Sequence, residues 1–294
     1  ARSHGALAHA LVASSAASDG EPSGPVDPAV AARAAAKVRE RAEELRGSRL
    51  LAEALAAARE AWEEASAGAS EAPAGRLLCL GIGSVEASAA SSWQLALALL
   101  LAEELGPMER AWADPQMRPA DEAAGEALGF RRLAPEAAAA PESLAAAGGP
   151  LLLYMPHCDR ALYERALSAN LPLPEPELEG LDERGEEAAP ALARVVLVGN
   201  SFEVYAERDE LRIVPEGTPG APSAANLLQR LRPFTRERAL PDFGPCPEAF
   251  NDLAVSGFPR ARLAGGGWRE APGGAGAVPD RGGGGGRRRR GRGA

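Results

Sequence analysis

The chain has 294 residues, enough for one large domain or two small ones, and a net charge of −9 at neutral pH. Six arginines and no acid fall within residues 281–294, so the rest of the chain is more acidic still, which argues against a broad nucleic-acid surface outside that Arg-rich tail. Three cysteines without CxxC spacing argue against a disulfide framework and for a reducing compartment, and no apolar run reaches the roughly 18 residues of a membrane span.

Ala, Gly, Pro and Arg abound while Lys37 is the only lysine, a bias that matches GC-rich coding DNA and carries little physical information. Residues 1–28 are rich in Ala, Ser, Gly and Pro and predict disorder. Residues 6–14 are mildly apolar but lack a basic flank, so no signal peptide is expected. Residues 30–45 predict a helix stopped by Gly47, and Ser48 caps a second helix running to about residue 65. Together 29–68 read as a helical extension that packs on the main domain or leads into it.

The core begins near Arg76. An apolar run at 77–80 predicts a buried strand, and Gly81-Ile82-Gly83-Ser84 a turn. A long helix is expected over 87–105, stopped by Gly106-Pro107, then a short strand at 111–113 ending in Asp114-Pro115. A helix over 119–128 and a loop of low complexity over 134–149 follow. The run 151–155 predicts another buried strand, broken by Pro156-His157-Cys158, with a helix over 159–169. Residues 171–190 read as an exposed acidic insertion. Residues 195–198 predict a central strand that runs into Gly199-Asn200-Ser201, 211–214 a further strand, and 226–231 a helix. Residues 264–294 turn to Gly and Arg and predict a disordered tail. Strands alternating with helices imply an α/β, Rossmann-like three-layer domain with a mostly parallel sheet over 76–260.

In such a sheet the residues after the strands share one edge, where ligands bind. Gly81, Gly83 and Ser84 suit a turn that lets an anion approach a helix start, although Glu86 stands where a third glycine would complete the fingerprint. The same glycines equally serve a tight strand–helix turn. Asp114 could accept ribose hydroxyls or simply open a turn. His157-Cys158-Asp159 is the sharpest cluster: a histidine base and a thiol at a helix start, or a plain Asp159 cap. Gly199, Asn200 and Ser201 offer an amide and a hydroxyl to a ligand or to the helix start that follows. Asn251 and Asp252 form a further polar group. Cys246-Pro247 could ligate haem, but the dipeptide is short and common.

In order, these clusters resemble the sensitivity-to-red-light-reduced family, with its SRR1-like domain. The resemblance rests on Leu80-Gly81-Ile82-Gly83-Ser84, Trp93-Gln94-Leu95-Ala96-Leu97, Asp114-Pro115 and Tyr154-Met155-Pro156-His157-Cys158 with Leu162-Tyr163 and Asn170. It continues through Val198-Gly199-Asn200-Ser201-Phe202, Leu240-Pro241-Asp242-Phe243, Phe250-Asn251-Asp252 and Phe258-Pro259, and covers about 76–260. Gln116 departs from the aromatic residue usual after Asp-Pro. The resemblance implies a regulatory protein linked to circadian-clock gene expression and, in animal members, also to control of haem biosynthesis, with no agreed catalytic activity; the expected compartment is the cytoplasm, with the nucleus as an addition. The expected site is a sheet edge holding an unidentified small ligand or protein partner through Gly81, Gly83, Ser84, Asp114, His157, Cys158, Gly199, Asn200, Ser201, Asn251 and Asp252. No cofactor or metal is named by the sequence. The rival reading is a nucleotide- or S-adenosylmethionine-dependent transferase using the same edge.

Overall fold

A computed structural model describes residues 27–67, 75–146, 148–171, 190–210, 226–264 and 266–269. The strand expected at 211–214 and nearly all of the acidic insertion and of both expected disordered ends lie outside the described residues.

Two helices come first, α1 (Pro28–Leu45) and α2 (Arg49–Ser66). Asp27 and Ser48 cap them by accepting backbone N–H groups of the first turn. Strand β1 (Gly75–Leu80) leads to α3 (Ala89–Glu104), β2 (Met108–Ala113), α4 (Pro119–Ala127) and the two-residue β3 (Arg131–Arg132). Then come β4 (Leu151–Met155), α5 (Arg160–Ser168), β5 (Val195–Asn200), α6 (Phe202–Glu210) and α7 (Leu227–Leu231). Strands β6 (Arg236–Ala239) and β7 (Leu253–Gly257) close the sheet.

The seven strands lie in the order β3-β2-β1-β4-β5-β7-β6. The first five are mutually parallel, while β7 runs antiparallel to both β5 and β6. The all-apolar runs read from the sequence are the strands buried on both faces. Along β1, Leu77 and Cys79 enter one core while Leu78 and Leu80 enter the other, as the two-residue period of a strand requires. In β4, Leu152 and Tyr154 face the first core and Leu151, Leu153 and Met155 the second.

Helices α1 to α4 cover the first face, and α5, α6 and α7 the second, giving three layers. Every residue of α3 from Ser91 to Ala102 is buried. A helix apolar all round must be covered on all sides. The sheet covers the inner side of α3, and α1 packs across it and α4. The pair α1–α2 therefore belongs to the same core as the strands, through Val38, Leu45, Leu50 and Ala54.

The stretch 134–149, expected as a plain loop, contains two one-turn helices, Pro135–Ala138 and Pro141–Leu144, each opened by its proline. Ala138, Leu144 and Ala146 are buried in the second core. Alanine-rich composition hid three anchoring contacts. No described helix is long and apolar enough to cross a membrane.

Candidate functional site

The strand order reverses between β1 and β4: from β1 the chain builds outward through β2 to β3, and from β4 through β5 in the opposite direction. Ligands in open α/β sheets bind at such a reversal, outside the carboxyl ends of the strands. A crevice opens there, with about 600 Å³ of empty space including solvent at its mouth. The end of β1 supplies Leu80 and Gly81, the end of β2 Ala113, Asp114 and Pro115, and the end of β4 His157 and Cys158. The one-turn helix after β3 and the start of α5 complete the walls with Pro135, Ala138 and Leu162.

Asp114 is the buried acid of this crevice. Its Oδ2 accepts the Gly83 N–H at 2.9 Å and its Oδ1 the Gln116 N–H at 2.7 Å. The carboxylate thus opens its own turn, one of the two roles expected of it, and it also ties down the β1–α3 loop, a role the sequence did not announce. Burial raises its pKa above the usual carboxylate range, opposed by the two backbone hydrogen bonds from Gln116 and Gly83, while nearby Asp121 adds to the rise.

Gly81 sits at φ +74°, a left-handed conformation that L side chains rarely adopt. A Cβ there would stand 2.4 Å from the Cys158 Sγ. The missing side chain is therefore the space the thiol occupies. Cys158 itself is buried, with its Sγ 3.4 Å from the Leu80 carbonyl oxygen. Burial, then the charges of Asp114 and Asp159, push its thiol well above the usual range. A thiol held protonated is a poor nucleophile. Asp159 caps α5 by accepting the Leu162 N–H at 2.8 Å.

His157 is exposed and lies at φ +55°, the sharp corner by which the chain leaves β4. Its Nε2 lies 3.2 Å from the Ala249 carbonyl oxygen, on the one-turn helix Pro247–Phe250. Its backbone N–H donates to Asn200 Oδ1 at 2.9 Å. Asn200 Nδ2 donates to the Cys158 carbonyl at 3.2 Å and to the Tyr205 hydroxyl at 2.9 Å. The amide thus sews the end of β5 to the end of β4.

The expected residues share one edge but divide into groups. Gly81, Asp114, His157 and Cys158 line the crevice. Gly83 and Ser84 lie behind it, Gly83 bound to Asp114 and Ser84 Oγ accepting the Ala87 N–H at 3.2 Å. Gly199, Asn200 and Ser201 lie beside it at the end of β5. Asn251 and Asp252 stand before β7, where Asp252 pairs with Arg208 at 2.7 Å and its carbonyl accepts the Ser201 N–H at 2.8 Å.

Three residues shape this edge without having been expected at the site, although Tyr163 was among the residues that carry the resemblance. Asp121, fully buried, accepts the Glu86 N–H at 2.9 Å and the Arg118 N–H at 2.8 Å. Its signal was present: an acid two residues after Pro119, in the first turn of a helix. Glu237 on β6 receives the Ser201 hydroxyl at 2.6 Å, the Phe202 N–H at 2.7 Å and the Ser256 hydroxyl at 3.2 Å. Nothing in Arg236-Glu237-Arg238 marks it. Tyr163 donates to the Met155 carbonyl and accepts the Asn200 N–H at 2.7 Å. Among the described residues no group of three or more His, Cys, Asp or Glu could hold a metal ion.

The family model described as SRR1 domain matches residues 51–256. An SRR1-like protein of Mus musculus is 30% identical over 146 residues, 49% of this chain and 51% of the mouse protein. Protein SENSITIVITY TO RED LIGHT REDUCED 1 of Arabidopsis thaliana is 28% identical over 140 residues, 45% of this chain and 42% of the plant protein. The chain spans about half the length of these curated relatives or less. No solved structure matches it.

Proposed function

This chain belongs to the SRR1 domain family, and we propose that it is a regulatory protein that binds a small ligand in the crevice between the ends of β1, β2 and β4. The observation that carries this reading is the position of the crevice. It lies where the strand order reverses, and three strand ends contribute to it, with one buried carboxylate among apolar walls. Mostly apolar concavities with a few placed polar groups are what small-ligand sites look like.

In the cell the proposal places the protein in the control of circadian-clock gene expression and of haem biosynthesis, in the cytoplasm and the nucleus. The name of the plant relative, which refers to reduced sensitivity to red light, supports a role in light-linked regulation. The chemistry of the crevice supports holding rather than attacking, since burial pushes the Cys158 thiol in its wall upward, away from the reactive thiolate.

The test fills the crevice. Ala139 lines it and is only half-buried, so Ala139→Trp should occupy the space without unfolding the chain. In cells relying on this protein, the variant should remain as abundant as wild type and lose the rhythmic and haem phenotypes. Normal phenotypes at normal abundance would overturn the proposal.

A further inference from the structure

The site that accepts a ligand also states which ligand it refuses. A glycine turn between a strand and a helix binds phosphate when its backbone N–H groups point outward, unused. Here several are used by the chain itself. The Gly83 N–H is held by Asp114, the Glu86 N–H by Asp121, and the Ala87 N–H by the Ser84 hydroxyl. The first two partners are carboxylates, occupying the place a phosphate's oxygens would take. Among the described residues no lysine or arginine lines the crevice, and its carboxylates Asp114 and Asp159 would repel an anion.

What remains is an acceptor set in an apolar wall. Each Asp114 oxygen accepts one N–H and keeps lone-pair capacity for another donor. An acid at the end of the second strand, beside the glycine turn, is placed to receive ribose hydroxyls. In this chain it stands 31 residues after Gly83, later than the usual spacing of about 20, because α3 and the turn before it intervene. Around it, Leu80, Ala113, Pro115, Pro135, Ala138 and Leu162 offer surfaces on which a flat ring can lie.

Resting on the ligand-site reading above, we infer that the crevice takes a nucleoside without phosphate, its ribose hydroxyls donating to Asp114 and its base against the apolar wall. A nucleoside whose side arm bears a positive charge suits the two carboxylates best.

The experiment is calorimetric titration of the full chain with adenosine, guanosine, S-adenosylmethionine, ATP and NAD. At least one phosphate-free nucleoside should bind, and ATP and NAD should bind at least tenfold more weakly or not at all. The 2′,3′-dideoxy form of the nucleoside that binds should lose tenfold or more, which needs no change in the protein. Asp114→Asn should lose a similar factor, and Ala139→Trp should abolish binding. Tighter binding of ATP or NAD, blocked by Ala139→Trp, would overturn the nucleoside inference and leave the crevice reading standing. Equal binding of the dideoxy compound would remove Asp114's assigned part and overturn the inference as stated. Binding of none of the five probes would overturn the inference. The crevice reading has its own separate failure, in normal cellular phenotypes of Ala139→Trp.

Discussion

The loop after β1 and the loop after β5 look alike in sequence and differ in what they face. Both join a buried strand to a helix, and both use glycine and serine, Gly81-Ile82-Gly83-Ser84 in one and Gly199-Asn200-Ser201 in the other. Both have their backbone donors taken by a carboxylate from a neighbouring element, Asp114 for the first and Glu237 for the second. The difference is the other side of each carboxylate. Asp114 forms part of the wall of the crevice between β1, β2 and β4. Glu237 binds Ser201, Phe202 and Ser256, joining β6 to the start of α6 and to β7, and it borders a different hollow, shared with Arg232 and Arg262. Polar turns at strand ends are therefore a general way to satisfy helix starts, and only one of these two opens on the crevice.

The comparison can be broken hardest at Gly199. A Cβ there would stand 2.2 Å from the Tyr163 hydroxyl oxygen, which is fully buried and bonded to Met155 and Asn200. Gly199→Ala should cost about 3 kcal/mol, the upper part of the overpacking range, because it also displaces those hydrogen bonds. Tyr163→Phe removes the clashing oxygen, so the double variant should be more stable than the sum of the single effects predicts. Strict additivity in chemical denaturation would show that the two groups do not meet.

Asn200→Ala comes next. It leaves the Tyr205 hydroxyl, the Cys158 carbonyl and the His157 N–H without their shared partner, and should cost about 1–3 kcal/mol. Ligand affinity in the crevice should fall less than it does in Asp114→Asn, because Asn200 is not in its wall. A loss of binding without a loss of stability would move the site toward β5.

How much of this was legible depends on the kind of signal. The central strands were plain because burial on both faces leaves an unbroken apolar run, as at 151–155. The caps Asp27, Ser48, Asp159 and Asn226 follow local rules. Strands β6 and β7 were not anticipated. Arg236-Glu237-Arg238 at the sheet edge is charged, with its arginines paired to Glu60 and Glu64 on α2, so no hydrophobic pattern announces it. The division of the polar clusters was also hidden. Whether Asp114 or Asn200 faces a cavity depends on strand order, which brings β2 and β4 to either side of β1 and is set by contacts far apart in sequence.

A smaller effect concerns the thiols. All three cysteines are buried, and burial raises the pKa of Cys79, Cys158 and Cys246 alike. At pH 8 the native protein should react with a thiol-specific chromogenic reagent far more slowly than the unfolded chain, which should release three equivalents. Fast reaction of Cys158 in the folded state would show the crevice wall to be open at that point, and would revive the thiol as a chemical participant.

The smallest effect is the pH dependence that Asp114 contributes. Its folded-state pKa is raised, chiefly by burial, above the unfolded carboxylate value of about 3.9. In the window above that value the native state binds more proton than the unfolded chain does. The contribution to stability is therefore fully present below the unfolded pKa and is lost as pH rises through the folded one. Asp114→Asn removes this titration, so the stability of wild type relative to the variant should decline as pH rises through that window. Ligand affinity should move the other way, because hydroxyl donors need the ionised acceptor. Parallel unfolding curves for both proteins across the acid range, with the nucleoside titrated at each pH, read both trends. A wild-type advantage that grows with pH would mean that the hydrogen bonds from Gly83 and Gln116 outweigh burial at this carboxylate. Asp114 would then resemble Glu237: an acid whose work is to hold a loop.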